Sequence, residues 1–209
     1  MQPQSVSSEF QDRFDHSQYV SMTMEFRCNL KCVHCMIEGT MDNLVPETNE
    51  KFDGLMAYNK KEKAWRGLIL TGSEITLLKN LPELAAKAKQ SNFQHVRIQT
   101  HGMHLSQFSY CQKLKAAGVD EYFVSVAGSD ASTHDMITVV GGSFERTLKG
   151  LENIDRLEGS ISITNTVVTK HSYKQLPDLV RNLSHIKSLV QMEFWVYWPM
   201  KASDEKDLM

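Results

Sequence analysis

Apolar positions along the chain gather into six short runs whose internal spacing favours extended backbone. "YVSMTMEFR", "RGLILTG", "HVRIQT", "EYFVSVAG", "ISITNTVVT" and "LVQMEFWVYW" are rich in the β-branched and aromatic residues that fit a pleated surface. Between them, helices are predicted at about residues 47–63, 80–91, 104–117, 144–157 and 174–186. In the fourth of these, Phe144, Leu148, Leu151 and Ile154 recur at helical spacing on one side. Strand and helix alternate throughout, which predicts an α/β fold of right-handed βαβ units, with a parallel sheet and helices covering its outside. Six strands suit either an open doubly wound sheet or an incomplete barrel. In both, the strand-to-helix loops converge at the carboxyl ends of the strands, and ligands are expected there. The polar motifs "RCNLKCVHC", "TGSE", "THG", "AGSD" and "TKHS" follow the first five strands in turn.

Composition adds limits. With 209 residues and 41% hydrophobic content, the chain can build one domain with a substantial core. Its 23 basic and 25 acidic residues are interspersed, and a formal net charge of −2 gives no strong field to attract nucleic acid or an anionic membrane. The start, "MQPQSVSSEFQDRFDHSQ", lacks the apolar core of a signal peptide, and no later run approaches a membrane span, so a soluble cytoplasmic protein is expected. The ending "PMKASDEKDLM" is polar and supplies no sixth helix, as expected of a catalytic core cut from a longer chain. The expected organisation is a polar segment at 1–18, a core domain at 19–198 and a polar tail at 199–209.

Three of the four cysteines stand in Cys28-Asn-Leu-Lys-Cys32-Val-His-Cys35, directly after the first strand. One tight cluster beside a single distant cysteine is a poor disulfide framework and better suits a metal or redox centre. Structural zinc needs four closed ligands. His34 could supply the fourth only with strain, because its neighbour Cys35 would ligate the same ion. Cys111 sits among Leu105, Phe108 and Leu114 and reads as a buried core thiol. An iron–sulfur cluster held by three cysteines would instead leave one iron open to substrate or cofactor.

C-x3-C-x2-C after the first strand resembles the signature of the radical S-adenosylmethionine (radical SAM) superfamily, whose core is a partial (β/α)6 TIM-like barrel. The resemblance covers nearly the whole chain. The family's "GGEP" segment is similar to Thr71-Gly72-Ser73-Glu74-Ile75, its "TNG" to Thr100-His101-Gly102, and its fourth-strand motif to Ser125-Val126-Ala127-Gly128. "THDMITVVGGSFERTLKGLENI" resembles the "HD…GSF…T…GI" stretch of peptide-modifying members and tilts the expected substrate toward a peptide.

The resemblance implies a 4Fe–4S cluster on Cys28, Cys32 and Cys35, with S-adenosylmethionine chelating the open iron. It implies that Gly72 and Ser73 let backbone approach the methionine ammonium, with Glu74 supporting that loop or the ammonium by charge. Ser125 is expected to hydrogen-bond the ribose or carboxylate, and His34, Val167 and Tyr197 to neighbour the adenine. Ala127 and Ser172 depart from the family's aspartate and asparagine. Glu193, Tyr197, His101 and Asp135 are candidates to face the substrate, although His101 and Asp135 read better as loop-capping residues. The implied activity is reductive cleavage of S-adenosylmethionine to a 5′-deoxyadenosyl radical, which abstracts hydrogen from an unidentified substrate. An external donor such as flavodoxin or ferredoxin is expected to supply the electron. The competing reading is a zinc-binding or degenerate scaffold acting through a protein partner.

Overall fold

The computed structural model describes residues 15–37, 39 and 41–198. The tail expected at 199–209, and all but the last four residues of the segment expected at 1–18, lie outside the described residues.

Six strands, β1 (Tyr19–Glu25), β2 (Gly67–Gly72), β3 (His95–Thr100), β4 (Glu121–Ser125), β5 (Ile161–Val168) and β6 (Leu189–Val196), form one sheet in sequential order. Each adjacent pair is parallel. A doubly wound sheet reverses its strand order at a switch point. Sequential order without reversal, with β1 and β6 at the two edges, is the incomplete-barrel alternative.

The crossovers are made by α1 (Asn49–Glu62), α2 (Leu81–Lys89), α3 (Phe108–Ala116), α4 (Ala131–Thr138), α5 (Ser143–Asp155) and α6 (Leu176–Leu183). Five correspond to the expected helices, with short 3-10 turns taking up the first residues of the segments expected at 104–117 and 174–186. The additional helix is α4, eight residues long and too short for a clear helical period. Local chemistry defines it: Asp130 accepts from Thr133 N at 2.8 Å as its N-cap, and Val139 ends it at φ 59 in the left-handed region.

Alternation along each strand separates two environments. Met22, Met24, Leu68, Leu70, Val96, Ile98, Tyr122 and Val124 point outward and join the helices in one buried core. The intervening positions face the concavity. At its amino-terminal end Arg97 Nε donates to Glu121 Oε2 at 2.9 Å, and Tyr19 OH donates to Glu121 Oε1 at 3.0 Å. The Tyr19 ring lies so close to Gly67 that a Cβ there would sit 2.1 Å from Tyr19 Cε1. This packed polar plug leaves the carboxyl end as the accessible one. Among the described residues no helix is long and apolar enough to cross a membrane.

Candidate active site

A cavity of about 530 Å³ opens at the carboxyl ends of the strands. Nine of the ten site residues expected from the sequence line it: Cys28, Cys32, Cys35, His34, Gly72, Ser73, Ser125, Val167 and Tyr197. The tenth, Glu74, is fully buried behind it.

The cysteine loop is fastened on two sides. Lys31 N donates to Thr138 O at 3.1 Å and Val33 N to Ile137 O at 2.8 Å, so the last carbonyls of α4, which a helix cannot satisfy internally, are used to hold the loop. On the other side Ser73 N donates to Glu25 O at 2.8 Å and Glu74 N to Arg27 O at 3.1 Å. Within the loop Cys35 N reaches Cys32 O at 3.0 Å, and Leu30 N points at Cys28 Sγ at 3.4 Å. Burial raises the Cys28 thiol above its ordinary pKa, and this backbone hydrogen bond works against that.

Glu74 joins the loops that follow β2 and β3. Its Oε1 accepts from Thr76 N at 2.9 Å, from the Thr76 hydroxyl at 2.5 Å and from the Thr100 hydroxyl at 2.7 Å. Its Oε2 accepts from His101 N at 2.8 Å. Of the two roles expected for Glu74, the geometry matches loop support. Gly72 needs its missing side chain for a different reason from the one expected. A Cβ there would lie 1.9 Å from the carbonyl oxygen of Glu25, so the demand comes from the close pairing of β1 and β2.

Of the three histidines that line the cavity, His101 and His134 are buried in its wall. His101 Nε2 lies 2.7 Å from Asn29 Oδ1 and 3.1 Å from Glu74 Oε2, while its Nδ1 accepts from Met103 N at 3.2 Å. That pattern fixes the Nε2–H tautomer, and burial holds the ring below its usual pKa. His134 accepts from Ala127 N through Nδ1 at 3.2 Å, and burial pushes it down to about 4. Asp135 accepts from Gly142 N at 2.6 Å and from the Ser143 hydroxyl and Phe144 N at 2.8 Å each, capping α5. Both His101 and Asp135 thus do the loop-capping work expected of them, and His101 also faces the cavity.

Elsewhere, Tyr197 is 2% exposed and donates its N–H to Val168 O at 3.2 Å. Ser172 accepts from Thr169 N at 3.1 Å and serves a local turn. Glu193 accepts from Gln191 Nε2 and Trp195 Nε1, each at 2.9 Å. Cys111 is buried on α3, donates to Leu105 O at 3.0 Å and has its thiol pushed up to about 12 by burial, as a core thiol does. Sequence reasoning did not single out Gln99, Phe123, Asn165 and Trp195, which also line the cavity. The usable signal was period-two spacing, which puts Asn165 on the same face as Val167.

A model of the radical SAM superfamily matches residues 23–183. The chain belongs to the radical SAM superfamily. Curated relatives of this radical SAM chain include an AdoMet-dependent heme synthase from Methanosarcina barkeri, 30% identical over 189 residues that cover 86% of this chain and 50% of that protein. Another is a probable GTP 3′,8-cyclase from Methanococcus maripaludis, 28% identical over 166 residues, with 79% and 55% covered. The chain therefore spans about half the length of these relatives. Among solved structures, methylornithine synthase superposes with TM-score 0.70 at 14% identity, covering 97% of this chain and 65% of that one. A structure of anSMEcpe with bound AdoMet and Kp18Cys peptide gives TM-score 0.67 at 16% identity, covering 86% and 52%. At such identities the likeness is one of fold.

The family implies a 4Fe–4S cluster and S-adenosylmethionine, and the residues present fit both. Three thiol side chains on one cavity wall match a cluster with one open iron. A single zinc at about 2.3 Å from each sulfur would gather three sulfurs to within roughly 4 Å of one another. Among the described residues the trio of ligand atoms drawn within 4.8 Å is His95, Asp120 and Glu121, at the amino-terminal ends of the strands, and not the cysteines.

Proposed function

We propose that the protein is a radical SAM enzyme that cleaves S-adenosylmethionine reductively and uses the product to take hydrogen from a substrate bound in the same cavity. The observation that carries this reading is the convergence of Cys28, Cys32, Cys35, Gly72, Ser73 and Ser125 on one cavity at the carboxyl end of an incomplete barrel. A cluster held by Cys28, Cys32 and Cys35 would supply one-electron reduction of the sulfonium, breaking its bond from sulfur to the 5′ carbon to give methionine and a 5′-deoxyadenosyl group able to accept hydrogen.

The chain's own residues do the rest. Cys28, Cys32 and Cys35 hold the cluster, and α4 together with the Glu74 network holds their loop. The backbone at Gly72–Ser73 receives the methionine end, and Ser125 orients the ribose or carboxylate. The main chain at His34, with Val167 and Tyr197, packs the adenine. Phe123, Val126 and Trp195 keep the wall apolar, limiting water near a species that any stray hydrogen donor would quench. An electron donor such as flavodoxin or ferredoxin completes the system. A peptide is one substrate compatible with this arrangement. Its sequence pointer, however, the "HD…GSF" stretch, spends its Asp135 side chain on the α4–α5 elbow.

Anaerobic reconstitution tests the cluster directly. About four irons per chain and a brown chromophore are expected, lost in Cys28→Ala, Cys32→Ala or Cys35→Ala and kept in Cys111→Ala. A colourless protein with one tight zinc supports the scaffold reading instead.

A further inference from the structure

We propose that the group admitted to the barrel interior beside the cofactor is uncharged and carbonyl-bearing, held by the side-chain amides of Gln99 and Asn165 next to the Phe123 and Trp195 rings. This deepens the radical enzyme reading and rests on it.

Charge comes first. Among the described residues lining the cavity there is no lysine, arginine, aspartate or glutamate. The two buried histidines on its wall, His101 and His134, are held toward the neutral form by burial. Charges close by are already engaged: Glu193 by Gln191 and Trp195, Glu121 by Arg97, and Glu25 by Arg27. A phosphate or carboxylate entering here would lose its water and meet no lysine or arginine in return, which is unfavourable.

Beside the hydroxyls of Ser73, Thr100, Ser125 and Thr138, two side-chain amides line the cavity with N–H groups to offer. The Thr71 hydroxyl donates to Gln99 Oε1, which leaves the Gln99 amide N–H groups to serve the cavity that this side chain lines. Asn165 is 6% exposed, and its Nδ2 has no hydrogen-bond partner among the described residues. Its register partners are Ser125 on β4 and Glu193 on β6, whose carboxylate oxygens already take two donors. A buried amide N–H group without an acceptor is rare in folded proteins, and a turn about its Cβ–Cγ bond presents it to the cavity. A carbonyl oxygen is the acceptor that satisfies it without bringing charge.

The rings give the second half of the fit. Phe123 and Trp195 stand with centroids 6.1 Å apart, tilted at 43°, and offer apolar faces to a planar group. Phe123 is the register partner of Gln99, so ring and amide sit on adjacent strands at one level. A peptide amide and a nucleobase carbonyl share this chemistry. A nucleoside triphosphate could offer its base to this interior but would have to keep its phosphates outside.

The test uses the reconstituted protein with S-adenosylmethionine under anaerobic conditions and two matched pairs of probes. One pair is an acetylated, amidated dipeptide and the same dipeptide with a free carboxylate. The other is guanosine and GTP. Binding is read from the electron paramagnetic resonance spectrum of the reduced cluster and from tryptophan fluorescence. In at least one pair the neutral member is expected to bind about tenfold more tightly than its anionic counterpart, and Gln99→Leu or Asn165→Leu to lose about tenfold of that affinity. Where a leucine variant fails to retain iron, Gln99→Glu or Asn165→Asp, which keep the side-chain size, is scored in its place. Preference for the dipeptide assigns a peptide source, and preference for guanosine a nucleoside one. Equal or tighter binding of the anionic member in both pairs, no response to either neutral probe, or unchanged affinity in iron-loaded variants would overturn the proposal. 5′-Deoxyadenosine is assayed in the same samples: its absence overturns the radical reading, whereas its presence alongside anion preference overturns the substrate class alone.

Discussion

His101 Nε2 stands 2.7 Å from Asn29 Oδ1 and 3.1 Å from Glu74 Oε2, so one ring proton ties the cysteine loop to the carboxylate that joins the next two loops. Removing that carboxylate strands buried donors on Thr76, Thr100 and His101 together. Glu74→Ala is therefore expected to cost roughly 3–5 kcal/mol, read as a lowered denaturant midpoint, and to reduce iron retention as well. Full iron content with a lowered midpoint would separate the network from the cysteine loop.

The buried histidines set a pH signature. His134 titrates near 6.5 when unfolded and about 4 when folded, so between those values the unfolded state binds more protons and stability falls as pH falls. The loss expected from His134 is about 3 kcal/mol by the bottom of that window, and His101 shifts in the same direction. The lowered carboxylates Glu25, Asp120 and Asp135 act in the same direction, their contribution being lost as pH falls from their ordinary carboxylate range through their lowered folded values. Denaturant titrations from pH 7 to pH 4 should show the slope, and His134→Gln should flatten it. Stability independent of pH across that range would contradict the burial argument.

At Gly72 the structure changes the expected outcome of a substitution. Because a Cβ would meet Glu25 O at 1.9 Å, Gly72→Ala must separate β1 from β2 at the root of the cysteine loop. It is expected to lower both iron content and stability, whereas Gly141→Ala, with nothing within 4 Å of its Cβ, should leave both unchanged. Normal iron in Gly72→Ala would restore a purely cofactor-facing role for that position.

Much of this was legible because it is local. Strand runs, the cysteine spacing and the loop order are written in neighbouring residues, and nine expected positions reached one cavity. Long-range relations were not. The reason for glycine at 72 lies in the backbone of Glu25, and the support of the cysteine loop lies in the carbonyls of α4 more than a hundred residues later. The inward amides of Gln99 and Asn165 looked like ordinary strand residues, since only closure of the sheet gives that face a cavity to line.

Val139 carries strain that can be relieved. It is a β-branched residue at φ 59 and 54% exposed, so its left-handed backbone is held by the need to end α4 beside the cysteine loop. Asparagine tolerates this conformation, and Val139→Asn is expected to stabilise the protein by about 0.5–1 kcal/mol, raising Tm by roughly 1–4 °C. A lowered Tm would show that the valine side chain contributes packing that outweighs the strain.

Chromatography of a quenched anaerobic reaction tests the central claim most directly. Reconstituted protein, dithionite and S-adenosylmethionine are expected to yield 5′-deoxyadenosine and methionine even without substrate, above a Cys32→Ala control. No 5′-deoxyadenosine above that control, in protein shown to hold a reduced cluster and bound S-adenosylmethionine, would contradict it.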